Sequence, residues 1–359
     1  MRVLQIGADR SKRGILYPES DGYKRQSAYA AQFGNLDIIG FSRASDGAQE
    51  SKTEHLHVIP TKSASPLTYA FDAVRIAKTL PRPDVVSAQD PFEAGLAAWY
   101  IADKLKVPLH IQIHTDFLAP QFRTLSMIND IRVQIARFVV PRASGVRVVS
   151  QWVNNSLTAR YHLSAHVSVL PIFIDVARFK DAVVPTEMNT RFSRFSKRVL
   201  VVSRLEREKN VELAIKAFAL AAPTDACLII VGDGSQRAML EAQAQAHLAG
   251  RVFFEGEQDP APYYKVANLL LAPSFFEGYG MVVVEALAAG IPVLSTDIGI
   301  ARESGAIITS HADFAHSIEK WFKDGPFEGT LQHYPYESFD QYVKAYCDDI
   351  ASTLTGNVK

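Results

Sequence analysis

The chain has 359 residues, 48% of them hydrophobic, and a mean hydropathy of zero, a soluble globular composition too long for one core, so two domains are expected. Its 38 lysines and arginines balance 38 aspartates and glutamates, which argues against a nucleic-acid binder, since such proteins carry a basic excess that displaces counterions. Two cysteines, Cys227 and Cys347, are too few for a disulfide framework, and no window approaches 18 uninterrupted apolar residues, so a reducing, cytoplasmic setting without a bilayer-spanning helix is expected.

The opening MRVLQIG enters an apolar segment directly, without the charged n-region or cleavage site of a secretory leader. From there, short β-branched runs alternate with helical patterns, the signature of α/β units around parallel sheets. Strands are predicted at Arg2–Ile6, Leu36–Phe41, Val85–Ala88, Leu109–His114 and Val146–Ser150. Asp175–Ser196 lacks a clean period and reads as a linker. A second strand series follows at Arg198–Ser203, Cys227–Val231, Val252–Phe254, Leu269–Ala272, Pro292–Thr296 and Ala306–Thr309. VLQIGADR at residue 3 and VLVVSRLE at 199 both read as a first strand entering a polar loop, so two tandem Rossmann-like domains are expected, 1–172 and 173–335. In the tail, Phe339, Val343, Tyr346, Ile350 and Leu354 follow helical spacing. Ligands of open α/β sheets bind beyond the carboxyl ends of the strands, which places the expected site in a cleft where those ends face.

The most informative stretch is APSFFEGYGMVVVEALAAGIPVLST at 272–296, a strand end, loop, helix and next strand. Gly278 and Gly280 permit a tight turn, and the amides near Gly280 and Met281 form a positive helix end suited to phosphate. Glu277 and Glu285 are about 12 Å apart along a continuous helix, so they bracket an extended ligand rather than share a metal. A blander alternative has Glu277 capping a helix and Glu285 as a solvated helix charge.

The segment E-G-Y-G-M-V-V-V-E-A-L-A-A-G-I-P-V-L resembles the E-x7-E segment of the retaining GT-B glycosyltransferases called group 1, or family 4. The resemblance implies that Glu285 holds the ribose hydroxyls of a nucleotide sugar and that Glu277 contacts the donor sugar, with Gly278, Tyr279, Gly280 and Met281 lining the donor site. VVSRLEREKN at 201–210 is similar to the family's G-R-x3-K-(G/N) through Arg204, Lys209 and Asn210, with Ser203 in place of the usual glycine. A guanidinium and an ammonium at a strand's carboxyl end can neutralise a departing diphosphate. CLIIVGDGSQRAML carries the family's G-x-G turn with Gly232 on the donor side, although the turn alone fits any Rossmann crossover. The loop of VFFEGEQDPAP points to Glu257 and Gln258 for the nucleobase, while Tyr263 and Tyr264 read as helix packing.

On the acceptor side, the resemblance points to His114 in IQIHTDF, near sugar and acceptor, with Asp116, Gln89 and Asp90 as further candidates; a structural histidine and a turn-starting Asp90 fit as well. The family's Gly-Gly turn after the first strand is replaced by IGADRSKRGILYPESDGYKRQ, where Gly14 is the nearest substitute. Lys12, Arg13, Lys24 and Arg25 in that stretch suggest an acceptor bearing negative charge. PIFIDVARF at 171 keeps only part of the family's hinge motif. The tail at 336–359 resembles the family's terminal helix, which crosses back to the first domain.

The implied function is retaining transfer of a sugar from a nucleotide-diphosphate sugar, a donor substrate rather than a cofactor, to a glycan, lipid-linked or small-molecule hydroxyl, in glycan, glycolipid or envelope polysaccharide synthesis. No metal is expected, since no D-x-D triplet occurs. A GT-B nucleotide-sugar epimerase and a non-catalytic sugar-nucleotide-binding partner of a transferase are the alternatives. An NAD dehydrogenase lacks support, because no G-x-G-x-x-G follows the first strand.

Charge adds a local signal. Residues 1–170 carry +6 and 171–359 carry −6, and 117–170 holds Arg123, Arg132, Arg137, Arg142, Arg147 and Arg160 against Asp130. A helix beginning near Arg123 would turn Leu125, Ile128, Ile131 and Ile135 to one side and Arg123 and Arg137 to the other. That pattern fits an ordinary surface helix, or a face meeting anionic membrane or a phosphate-linked acceptor.

Overall fold

Most of the apolar runs expected as strands are buried on both faces, as parallel sheets covered by helices require. The computed structural model describes residues 1–8, 11 and 14–355, and the chain divides into two units. The first is Met1–Pro171 with the segment from Tyr336 onward, and the second is Ile172–Pro335.

Among the described residues of the first unit, β1 (Arg2–Gly7), β2 (Asn35–Gly40), β3 (Ser51–Lys52), β4 (Leu56–Pro60), β5 (Val85–Ala88), β6 (Leu109–Ile113), β7 (Gly145–Val148) and β8 (His166–Val169) form one sheet. Their order is β3-β4-β2-β1-β5-β6-β7-β8, parallel throughout except for β3 against β4. In register, Val3 faces Leu36 on one side and Val85 on the other. The helices are α1 (Asp21–Phe33), α2 (Tyr69–Ala77), α3 (Glu93–Leu105), α4 (Pro120–Thr124), α5 (Met127–Val139) and α6 (Gln151–Thr158). Helices α1, α5 and α6 start on Ser20, Ser126 and Ser150, whose hydroxyls accept from the amide three residues on. From β4 to β8 the chain crosses the sheet in one direction, so right-handed crossovers put α2, α3 and α5 on one face, where they pack in sequence.

The second unit contains α7 (Val176–Lys180), α8 (Thr186–Phe192), β9 (Lys197–Val202), α9 (Val211–Ala221), β10 (Ala226–Val231), α10 (Arg237–Leu248), β11 (Val252–Gly256), α11 (Ala261–Val266), β12 (Leu269–Ala272), α12 (Met281–Ala288), β13 (Val293–Ser295), α13 (Ala301–Ser304), β14 (Ile307–Ile308) and α14 (Phe314–Asp324). Its sheet is parallel, ordered β11-β10-β9-β12-β13-β14. Val199, Leu228, Ile230, Leu269 and Leu294 pack there against Ile215 and Phe218 of α9, Leu240 of α10 and Trp321 of α14.

Three expectations change. Residues 175–196 are not an unstructured linker: they hold α7, started by the Asp175 carboxylate accepting from the Arg178 amide, and α8, and both belong to the second unit. The helix expected near Arg123 is two helices, because α4 stops at Thr124 and Ser126 starts α5. The predicted stripe also faces outward at Ile128 and Ile131, while Val133, Ala136 and Val139 make the buried side.

The C-terminal α15 (Phe339–Thr355) packs on α1 and on strands β5, β6 and β7 of the first unit. A buried polar network ties it down. Arg147, 1% exposed, donates to Gln112 Oε1 at 3.1 Å, to the Leu170 carbonyl and to the Tyr342 hydroxyl. The Tyr346 hydroxyl donates to Gln5 Oε1 at 3.0 Å and accepts from Gln112. Asp349 meets His110 and Ser168; burial opposes its ionisation, but His110, Ser168 and Arg147 outweigh that and lower its pKa. Tyr342 and Thr353 are buried, and Leu354 of the expected stripe is exposed. Both cysteines are free and buried. Among the described residues no helix is long and apolar enough to cross a membrane.

Candidate active site

In the second sheet the chain starts at β9, builds outward to β10 and β11, then returns to the other side of β9 as β12. The reversal leaves a crevice beyond the carboxyl ends of β9 and β12, the switch point where open α/β sheets bind ligands. The loop after β9 carries Arg204 and Lys209, and the loop after β12 carries Glu277. Lys209 Nζ lies 2.5 Å from Glu277 Oε1, which also accepts from Ser274 Oγ at 3.0 Å, and both members of the ion pair are 17% exposed. Arg204 reaches outward, 71% exposed, to Glu208 at 2.9 Å. Asn210 takes the left-handed conformation that the family's Gly/Asn position suits, with φ 52°. Glu206 accepts from the hydroxyl and the amide of Ser235, which lowers its pKa.

Glu285 is not a solvated helix charge. It sits on α12, buried, and its Oε2 accepts from the Tyr264 hydroxyl of α11 at 2.7 Å. Burial raises its pKa, against the lowering effects of Tyr264 and Arg178. Tyr264 therefore holds the Glu285 carboxylate rather than merely packing a helix. The signal in the sequence was slight: a fully buried tyrosine needs a partner for its hydroxyl.

The glycines divide by role. Gly280, at φ 95°, opens α12 with no side-chain cap on its first turn. Tyr279 is buried and its carbonyl accepts from the Ile300 amide, while Met281 is 39% exposed. Gly278 is buried in the same turn. Gly232 does not offer its amide to a donor, since that amide donates to the Gly256 carbonyl at 2.7 Å. A Cβ at Gly232 would lie 1.9 Å from the Ser203 carbonyl oxygen, so close packing of the β9 and β10 loops requires the glycine. Glu257 and Gln258 are exposed in the loop after the edge strand β11, two strands from the switch point.

The first sheet has its own switch point, between β1 and β5. Gln89 follows β5 there and crowds Gly7, whose hypothetical Cβ would come within 2.7 Å of Gln89 Oε1. His114 follows β6. It is exposed, and crowding protein atoms, then Arg147 and Arg25, lower its pKa. Asp90 accepts from the Phe92 amide at 2.8 Å, the turn-starting role, and burial raises its pKa to about 6. Asp116 is committed to structure, accepting from Trp152 Nε1 at 3.0 Å and from Ser156 Oγ; burial raises its pKa. Gly14 spends its amide on Ser11 and its carbonyl on Ser20, so it does not reproduce a free Gly-Gly turn. Lys12 and Arg13 lie outside the described residues. Among the described residues no group of three or more His, Cys, Asp or Glu side chains is placed to hold a metal.

Comparison with known proteins follows the same division. Residues 196–324 match the family model Glycosyl transferases group 1, and residues 29–178 match Glycosyltransferase Family 4. The chain belongs to the group 1, family 4 glycosyltransferases. This glycosyltransferase-family chain is similar to the alpha-monoglucosyldiacylglycerol synthase of Streptococcus pneumoniae, 29% identical over 239 residues that cover 62% of this chain and 54% of that protein. It is also similar to the N-acetyl-alpha-D-glucosaminyl L-malate synthase of Bacillus anthracis, 28% identical over 202 residues, 55% of this chain and 52% of that one. The chain thus spans about half the length of these curated relatives. Among solved structures, Anabaena HepE in complex with UDP and glucose aligns over 99% of this chain and 97% of its own, with a TM-score of 0.71 and 18% identity. Sucrose-phosphate synthase from Thermosynechococcus elongatus aligns over 99% and 98%, with a TM-score of 0.73 and 19% identity. The shared fold is GT-B, two Rossmann-like α/β units.

Proposed function

We propose that this chain is a retaining glycosyltransferase that moves a sugar from a nucleoside-diphosphate sugar to a hydroxyl of a glycan or lipid-linked acceptor. The observation that carries the reading is the set of side chains at the β9/β12 switch point: Arg204, the Lys209–Glu277 pair and, on α12, Glu285 braced by Tyr264. The bond from the anomeric carbon to the diphosphate breaks and a bond to the acceptor oxygen forms on the same face. The acceptor proton passes to the departing phosphate oxygen. Lys209, Arg204 and the uncapped first turn of α12 then meet the charge that develops on the diphosphate. Glu277 holds Lys209 in place and is positioned to accept from sugar hydroxyls, and the Glu285 carboxylate accepts from the ribose. The names of the S. pneumoniae and B. anthracis relatives, which point to a diacylglycerol and to malate, support a hydroxyl acceptor without choosing one.

Labelled nucleotide sugars incubated with lipid and polysaccharide acceptors test the reading, with the anomeric configuration of the product read by NMR. Transfer with retention is expected, unaffected by EDTA because Arg204 and Lys209 supply the positive charge. Lys209→Ala and Glu285→Ala are expected to keep the fold and lose about 100-fold or more in turnover. Full transfer by either variant, inversion at the anomeric carbon, or clean epimerisation of the donor alone would overturn it.

A further inference from the structure

The loop between β12 and α12, which carries Glu277, is fastened by the loops after β9, β13 and β14. Thr296, after β13, donates from its hydroxyl to the Ser274 carbonyl at 2.7 Å. The Phe275 amide donates to the carbonyl of Glu208, after β9, at 2.8 Å. The Pro273 carbonyl accepts twice, from Asn210 Nδ2 at 3.3 Å and from His311 Nε2 at 3.2 Å. A carbonyl oxygen only accepts, so Nε2 of His311 carries a proton. The imidazole also lies against the Phe275 ring, with 5.1 Å between centroids and 38° between planes, which holds it in line with the carbonyl.

His311 belongs to none of the motifs read from the sequence, and it comes from the far edge of the sheet. It follows β14, and its ring reaches across the end of β13 to the end of β12. Its own loop is fixed on both sides. The Thr309 amide donates to the Ser295 carbonyl, Ser310 Oγ donates to Asp313 Oδ2 at 2.7 Å and accepts from the Asp313 amide at 3.1 Å, and Phe314 beyond is buried. Two residues past Phe275, Glu277 Oε1 meets Lys209 Nζ and Ser274 Oγ together. A displacement of about 1 Å is enough to spoil such an arrangement.

We infer that His311 is a positioning residue: its N–H bond to the Pro273 carbonyl fixes the Glu277 loop and, through Glu277, the ammonium of Lys209. This rests on the transferase reading for what Lys209 then meets, the diphosphate of the donor. The Pro273 carbonyl keeps Asn210 when the imidazole is removed, so that acceptor is not orphaned and variants at 311 are expected to fold. His311→Phe keeps a ring on Phe275 without the N–H, and His311→Gln keeps an N–H without the ring.

Calorimetric titration of the parent and both variants with each common nucleoside diphosphate, and with the matching nucleoside, tests the role. His311→Phe is expected to weaken the diphosphate about tenfold, the size of one charge-assisted hydrogen bond, and to leave the nucleoside unchanged, since it has no phosphate for Lys209 to meet. His311→Gln is expected to stay within about threefold of the parent. Hydrogen exchange at the Phe275 amide, read without any nucleotide, is expected to quicken in His311→Phe and to return toward the parent rate in His311→Gln. A His311→Phe protein that binds the diphosphate like the parent, that loses diphosphate and nucleoside alike, or that keeps the Phe275 amide protected would overturn the inference. So would a His311→Gln protein as weak as His311→Phe. A parent that binds no nucleoside diphosphate overturns the transferase reading instead, and hydrogen exchange then decides alone whether His311 holds the loop.

Discussion

At the scale of single residues, the proposed role of the buried Glu285 carboxylate predicts a pH dependence of nucleotide binding. Ribose hydroxyls donate to an ionised carboxylate, and burial raises the Glu285 pKa above the ordinary glutamate value. Nucleotide affinity is therefore expected to fall, as pH drops, at a higher pH than an exposed glutamate would give. The same shift acts oppositely on the empty protein: a carboxyl whose folded pKa is raised favours folding below its unfolded pKa and loses that contribution as pH rises through the folded value. Glu285→Gln should flatten the affinity profile, and Tyr264→Phe should move its midpoint upward by removing the hydroxyl at 2.7 Å that favours the charged form. Calorimetric titrations across pH check both; a Glu285→Gln profile identical to the parent's would contradict the assignment. The places of Lys209, Glu277 and Glu285, on two strand-end loops and a helix, were legible from the strand–loop–helix pattern. Tyr264 was hidden, since its helical position looks like any buried aromatic, and so was the confinement of Asp116 by Trp152 and Ser156, which lie on another element.

At the scale of elements, close loop approach decides which glycines can change. Gly232 combines φ 133° with a carbonyl oxygen 1.9 Å from its hypothetical Cβ, whereas at Gly280, φ 95°, a Cβ would meet only Val283 Cγ2 at an ordinary 3.8 Å. Gly232→Ala is expected to cost about 2 kcal/mol or more, and Gly280→Ala about 1 kcal/mol, the conformational term alone. Urea denaturation measures the difference, and equal costs would contradict the packing argument. Strands buried on both faces, such as β5 and β10, were easy to read from their apolar runs. In the first sheet β3, β4 and β8 escaped: β8 has no fully buried residue, β3 spans only Ser51 and Lys52, and β4 is a short run of alternating burial. The five-residue α7 and seven-residue α8 are too short to show a period. Helix α5 shows a further limit of pattern reading, because a hydrophobic stripe gives a direction on the helix without saying which direction is inward. Val133, Ala136 and Val139 won the inner side, as smaller residues that let α5 lie close to its neighbours.

At the scale of the whole molecule, the neutral total charge divides into a basic first half and an acidic second half, and the sheets show why that split was visible before the fold: each half is a separate parallel sheet with its own core and its own switch point. The exception is α15, whose sequence lies at the end of the chain and whose tyrosines and Asp349 complete a polar network under the first sheet. Periodicity marked it as a helix, but Gln5, Gln112 and Arg147 only make sense as its partners once the strands are side by side. The claim on which the functional account stands is that the β9/β12 crevice of the second unit holds a nucleoside diphosphate through Lys209 and Glu285. Thermal unfolding of the intact chain with each common nucleoside diphosphate in turn measures this directly, because a ligand confined to the folded state raises Tm by mass action. A rise in Tm with at least one of them is expected for the parent and is expected to vanish in Lys209→Ala and Glu285→Ala; no rise with any nucleoside diphosphate, or an undiminished rise in both variants, would contradict the account.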